Sequence, residues 1–225
     1  QGYIEGTEAM TLVLAGSGIT PANLADGTDG EMITWNASGV PAAVAVGTAT
    51  HVLTSNGAGA APTFQAASGG FTHLSPQTAS GVSQRTFDLS GGTPKMIVIT
   101  LDGVSNNSTG GYTLTIGDAG GLETSGYISQ SLWWKITTPT THGDTTASFT
   151  ITGATIAAHA IDAQIILTLH DPATWSWTMQ GQGSNSDDLF FQCSGGKALS
   201  AALTQLSVIT ANEWDAGSIN VMYME

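Results

Sequence analysis

The pattern of residues predicts an all-β chain. An intertwined β shaft over residues 1–69 precedes an antiparallel β-sandwich or jelly-roll-like domain over residues 70–225. Three features lead there. One turn-rich phrase is written twice near the start, short runs of alternating β-forming residues recur after Gly70, and only one stretch fits a helical stripe.

The repeated phrase comes first. GEMITWNASGVPAAV (30–44) returns as THVLTSNGAGAAPTF (50–64). Aligned, Met32 meets Val52, Ile33 meets Leu53, Asn36 meets Asn56, Gly39 meets Gly59, and Pro41 meets Pro62 after one inserted residue. Each copy reads as a short apolar strand, an Asn-x-x-Gly turn and a second strand opened by proline. Asn and Gly tolerate the left-handed backbone of tight turns, and proline opposes helix on both sides of itself.

Large apolar side chains are sparse in this zone, with Ile33, Val44, Leu53 and Phe64 the candidates for a shaft core. One chain cannot wrap a core around so few. A disordered linker would need no matched turns, so the regular phrase favours several copies that bury each other's strands. Tucking away five or six side chains per copy at about 1.5–3 kcal/mol each gives a trimer on the order of 20–50 kcal/mol gross. Association costs about 4–15 kcal/mol, and backbone ordering takes more. The shaft is therefore expected to fold only as an oligomer.

From residue 84 the runs follow in order: QRTFDL (84–89), KMIVITLD (95–102), YTLTIG (112–117), GYISQSLWW (126–134), ASFTIT (147–152), QIILTLH (164–170), TWSWTMQ (174–180), DLFFQC (188–193) and SINVMYM (218–224). Tyr112, Leu114 and Ile116 fall on one face, as do Trp175, Trp177 and Met179, with small polar residues between them. Residues 96–101 are apolar on both faces, the mark of a central strand. GKALSAALTQLSVI (196–209) fits either a helical stripe or a loop followed by a strand.

Charge narrows the partners. Seventeen acids stand against four Lys and Arg, a formal net charge of -13. Nucleic acid is a poor partner because phosphate binding needs a basic footprint, and an anionic membrane surface is disfavoured for the same reason. No apolar run approaches the ~20 residues that span a bilayer, and the opening QGYIEGTEAMTLVLAGSG lacks the basic start of a secretory signal. The single cysteine, Cys193, rules out an intramolecular disulfide and a cysteine-based metal site.

Three later phrases then stand together in order. KMIVITLDGVSNNSTGGYTLTIGDAGGLETSGY (95–127), GGKALSAALTQLSVIT (195–210) and DAGSINVMYME (215–225) resemble the C-terminal domain of tailed-bacteriophage fibre proteins. The zone 26–65 resembles the shaft segments that precede such domains. The resemblance implies a homotrimeric virion appendage on the exterior of the particle. It would join other virion proteins through its N-terminal side and touch the host surface with its β-rich end. Receptors differ across that family, so no binding residue carries over. The chain departs from the pattern at TANEWDAG (210–217), a compact turn carrying Trp214.

Enzymatic chemistry finds little footing. Paired carboxylates for glycoside hydrolysis must converge on one bond. Asp187 and Asp188 are neighbours that a strand would point to opposite faces, while Asp102 and Asp118 each follow a strand in turn-forming contexts. His170-Asp171 beside abundant serine makes a triad only on paper, with no G-x-S-x-G elbow. The five histidines show no H-x-x-x-H spacing, and DGVSNNSTGG (102–111) admits either a calcium loop or ordinary turns. No cofactor is expected.

The tryptophans offer the better lead. Trp133, Trp134, Trp175 and Trp177 are the receptor-binding candidates, since aromatic faces stack on the C–H surface of sugars. The alternative is that these rings fill the core, which the shared face of Trp175 and Trp177 favours; of the neighbours Trp133 and Trp134, one is expected outside. Cys193 reads as a small buried apolar residue. The leading expectation is a trimeric phage fibre that adheres to a host-surface receptor, a glycan. A capsid fibre or decoration protein, a polysaccharide depolymerase and a monomeric lectin-like domain are the alternatives.

Overall fold

The computed structural model describes residues 26–67, 69–135, 138–142, 146–155, 157 and 159–225. The first twenty-five residues of the expected shaft lie outside them. The chain is all-β, every strand pairing is antiparallel, and no helix forms among the described residues. It divides into two compact units, residues 1–67 and 68–225.

The first unit contains two hairpins, one from each copy of the repeated phrase. Strand β1 (Met32–Trp35) pairs with β2 (Pro41–Val44), and β3 (His51–Thr54) pairs with β4 (Thr63–Ala66). The turn asparagines organise the two loops by different routes. Asn36 Oδ1 accepts hydrogen bonds from the amides of Ser38 (2.9 Å) and Val40 (3.0 Å). Across the longer second loop, Asn56 Nδ2 instead donates to Ala61 O at 2.7 Å. Gly39 and Gly59 take φ of 72° and 80°, where a side chain would be strained.

The second unit carries β5 (Thr72–His73), β6 (Gln77–Thr78), β7 (Gln84–Asp88), β8 (Met96–Asn106), β9 (Gly110–Asp118), β10 (Gly121–Leu122), β11 (Ile128–Lys135), β12 (Thr138–His142), β13 (Phe149–Thr155), β14 (Ile161–Asp171), β15 (Ser176–Asn185), β16 (Leu189–Ala198), β17 (Gln205–Thr210) and β18 (Trp214–Met224). A five-stranded sheet runs β10-β9-β17-β7 with β13 also on β9. A nine-stranded sheet runs β12-β11-β16-β15-β14-β8-β18-β5, with β6 also on β18. Each of the nine runs read from the sequence falls on one of these strands. The 196–209 stretch resolves as the end of β16, a loop and then β17, without helix. Its apolar residues take strand spacing because Leu206 and Val208 must face the core between β9 and β7.

Both sheets turn one face to a single buried cluster. Tyr112, Leu114 and Ile116 of β9 enter it with Phe149 and Ile151 of β13, and β8, β14, β15, β16 and β18 answer from the larger sheet. Strand β8 lies between β14 and β18 and is buried on both faces from Ile97 to Ile99, as its double apolar pattern predicts. Its far end bends at a bulge where Gly103 (φ 58°) faces Gly217 (φ 93°). A Cβ on Gly217 would stand 2.5 Å from Gly103 O, so the two strands approach there only because glycine lacks one.

Candidate functional site

The outward face of the nine-stranded sheet is the surface with chemistry to offer. Alternation builds it: in β16, Phe191 and Cys193 are buried, while Phe190, Gln192 and Ser194 are exposed. The same rule separates the tryptophan pair of β11. Trp133 is 7% exposed in the core, and its Nε1 donates to Ser131 Oγ at 3.2 Å. Trp134 stands half-buried on the outer face, in register with Phe190, which is 50% exposed. Ile128 and Leu132 add apolar surface to the same strand.

Beside them lies an open depression of about 570 Å3, lined by side chains of β11, β14, β15 and β16 that include Gln130, Leu132, Gln164, Gln180 and Gln192. A neighbouring hollow shares Gln164, Gln182 and Gln192 with it and reaches Trp134 and Phe190, so the two form one trough. No Asp, Glu, Lys or Arg lines the first depression, and Asp162 stands at the edge of the second. The sequence reading passed over these glutamines. Their signal was the period-two spacing of Gln180 and Gln182 in MQGQG, beside a buried partner at Met179.

Two of the four tryptophan candidates lie in the core, Trp177 as the core-filling alternative had it and Trp133 as the inward member of its neighbouring pair. Trp177 is 1% exposed, sealed into the core from β15, and Trp133 is buried from β11, so neither reaches a receptor from this chain. Trp175 does not share a strand face with Trp177. It ends the β14–β15 turn at φ 50°, half-buried against the edge of the core, and its carbonyl accepts a hydrogen bond from Leu199 N at 3.1 Å. A left-handed residue reverses the alternation that a continuous strand would keep. Trp214, read as part of a loop, begins β18 and packs on Tyr112 with ring centroids 4.7 Å apart.

The shaft candidates divide as well. Ile33 and Leu53 are 56% and 43% exposed in the single chain, and Phe64 is half-buried. Val44 departs from the expectation that partners must shelter it: its own unit already buries it to 6% exposure. Gly47 leaves room for Phe64 of the second hairpin, because a Cβ there would be 2.5 Å from Phe64 Cβ.

The carboxylates occupy turns and one polar seam. Asn185 Oδ1 accepts from the amides of Asp187 (2.9 Å) and Leu189 (3.2 Å), which shapes the β15–β16 turn that holds Asp188 at φ 55°. Asp171 accepts from Thr174 Oγ1 and Ala173 N, which hold its carboxyl below the usual range and commit it to a turn. Asp102 lies in β8 of the larger sheet, whereas Asp118 ends β9 of the smaller one. Asp118 accepts from Ser200 Oγ at 2.5 Å and Gly120 N at 2.8 Å, and these donors lower its pKa in that order.

Nearby, Lys197 pairs with Glu123 and sits 5.4 Å from the Tyr127 ring centroid. Burial pushes the Tyr127 phenol up to about 12 and the Cys193 thiol up to about 12. In the 102–111 stretch Gly103 N donates to Asp162, Ser105 to Asp215, and Asn106 Nδ2 to Thr210, so its polar groups join strands. No three His, Cys, Asp or Glu side chains gather as metal ligands among the described residues. The His142 and Lys135 side chains lie outside the described set. Compared with known proteins, the chain matches no family model, no curated protein and no solved structure.

Proposed function

We propose that this chain is a phage fibre protein, a homotrimeric virion appendage whose C-terminal unit adheres to a host-surface glycan and performs no catalysis. In this reading the two hairpins belong to the intertwined shaft and the two sheets to a sandwich-like tip. The observation that carries it is the first unit's surface. Ile33, Trp35, Val52 and Leu53 stand 43–66% exposed on two minimal hairpins. Isolated two-stranded hairpins are marginal in water, and neighbouring copies would supply the missing cover. The ordered fibre-like phrases of the second unit add the virion context, and its outer face offers a broad uncharged surface for adhesion.

Weak binding at one tip multiplied over three gives firm attachment without a large single interface. Light scattering on the full chain and on a version starting at Gly70 tests the assembly. The full chain is expected at three times its mass, and the shortened one at a lower melting temperature or a smaller mass. A monomeric full chain would end the trimer reading. Pre-incubating host cells with the protein should block adsorption of the virus, and reducing ends released from host polysaccharide would replace adhesion by depolymerisation.

A further inference from the structure

We infer that the trough on the outer face of β11, β16, β15 and β14 is the glycan-binding site, selective for neutral, hydroxyl-rich saccharides, an inference that rests on the adhesion reading above.

The glutamines carry it. Among the described residues, Gln65, Gln77, Gln84 and Gln205 all place their amides on acceptors of their own chain, Gln77 on Thr86 O at 2.7 Å and Gln205 on Asp118 O at 2.9 Å. Gln130, Gln164, Gln180, Gln182 and Gln192 all line the trough, are all exposed, and form no side-chain hydrogen bond among the described residues. Their placement follows from register. Gln182 stands opposite Gln192 on one side and Gln164 on the other, giving a row of three amides across neighbouring strands. Gln180 stands opposite Ser194, which faces Gln130 one strand further on. Two adjacent rows of uncommitted donors and acceptors result.

The chemistry of that surface selects its occupant. An amide side chain offers a donor and an acceptor side by side, and a sugar hydroxyl is likewise both. A carboxylate or sulfate ligand accepts only; it would leave the amide oxygens unmatched and would meet the field of a chain with net charge -13. A second copy of this chain would desolvate five amides at once and would have to satisfy each of them to avoid a penalty. In the adjoining row, Trp134 and Phe190 supply the apolar platform on which a pyranose ring stacks, and Leu132, opposite Gln192, lines the first hollow. A hollow of about 570 Å3 suits one to a few sugar rings.

The test passes the full chain over an immobilised panel of neutral hexose and N-acetylhexosamine oligosaccharides and over a sialylated and sulfated panel, with wild type, Q182A/Q192A, W134A and the off-site control Q84A. Retention on the neutral panel only is expected. Loss of two hydrogen bonds should weaken it about tenfold or more in Q182A/Q192A, W134A should weaken it comparably, and Q84A should leave it unchanged. Light scattering and melting curves accompany each variant, and the exposed glutamine changes should alter neither. If wild type binds cells or glycans and the trough variants bind equally well, the trough is overturned and adhesion stands. If wild type blocks no adsorption and binds no saccharide, adhesion itself falls. If Q182A/Q192A changes the mass of the assembly, the face is an interface between copies and the inference is overturned.

Discussion

Lys197 of β16 donates to the Glu123 carboxylate across the seam between the two sheets, with 6% of its own side chain exposed and 26% of its partner's. The same ammonium donates to Ala198 O at 2.8 Å and lies over the Tyr127 ring, and Glu123 accepts from Ser200 N at 3.3 Å. Removing one member strands the other. Glu123→Ala is expected to destabilise the domain by about 3 kcal/mol, because a buried ammonium loses its counter-charge, whereas the double change Lys197→Met/Glu123→Leu should recover most of that loss. Chemical denaturation of the three proteins measures both figures, and an undiminished Glu123→Ala midpoint would show the pair to be a surface ornament.

Acid should weaken the fold in a defined window. Asp118, Asp88 and Asp171 are each held below the usual carboxylate range by local hydroxyl and amide donors. A carboxyl whose folded pKa is depressed binds its proton more readily once unfolded, so its contribution is complete above pH ~4 and disappears as pH falls through the folded value. The melting temperature should therefore hold from neutral pH to about 5 and fall below 4. Asp118→Asn should flatten that fall. A melting temperature that rises on acidification to pH 3 would contradict the assignment.

Cys193 should be silent toward thiol reagents in the native state. It is buried, its Sγ–H donates to Met179 Sδ at 3.6 Å, and burial pushes its pKa up to about 12. At pH 8 the thiolate that reacts is therefore scarce as well as inaccessible. Labelling with a chromogenic disulfide should proceed only at the rate of unfolding and become immediate in denaturant. Rapid stoichiometric labelling of the folded protein would place the thiol outside the core.

Two glycines should behave oppositely. A Cβ on Gly117 would be driven into Gly121 O, with Gly121 C and Leu122 Cα at 2.7 Å, where backbone cannot give way. Gly117→Ala is expected to cost ~3 kcal/mol or more by distorting the tight β9–β10 pairing. Gly196 would meet only Trp177 O, at 3.8 Å. Gly196→Ala should be neutral or stabilising by about 0.4–1 kcal/mol, through a less flexible unfolded chain. Thermal melts of the pair decide the matter, and equal losses would mean the close approach at Gly117 relaxes.

Strand identity was legible because a half-buried strand writes its two environments alternately along the chain: Tyr112, Leu114 and Ile116 declared their common face, and residues 96–101 declared a strand covered on both sides. Trp175 misled because nothing local announces that the residue before Ser176 takes φ 50° and leaves the strand. Of the candidate site, the sequence offered Trp134 without saying which of Trp133 and Trp134 faces out, and it passed over Phe190. It gave no sign that glutamines from four strands would meet.

The amino-acid sequence by itself determined the all-β character, the paired turns of the repeated phrase and the acidic, cysteine-poor chemistry, since each depends on neighbours within a few residues. Tertiary structure alone decided that Gln164, Gln182 and Gln192 stand in one row, that Lys197 meets Glu123, and that Trp133 and Trp177 are sealed inside. Sheet register brings together residues far apart in the chain, and the preference of any one side chain carries no record of which strand will lie beside it.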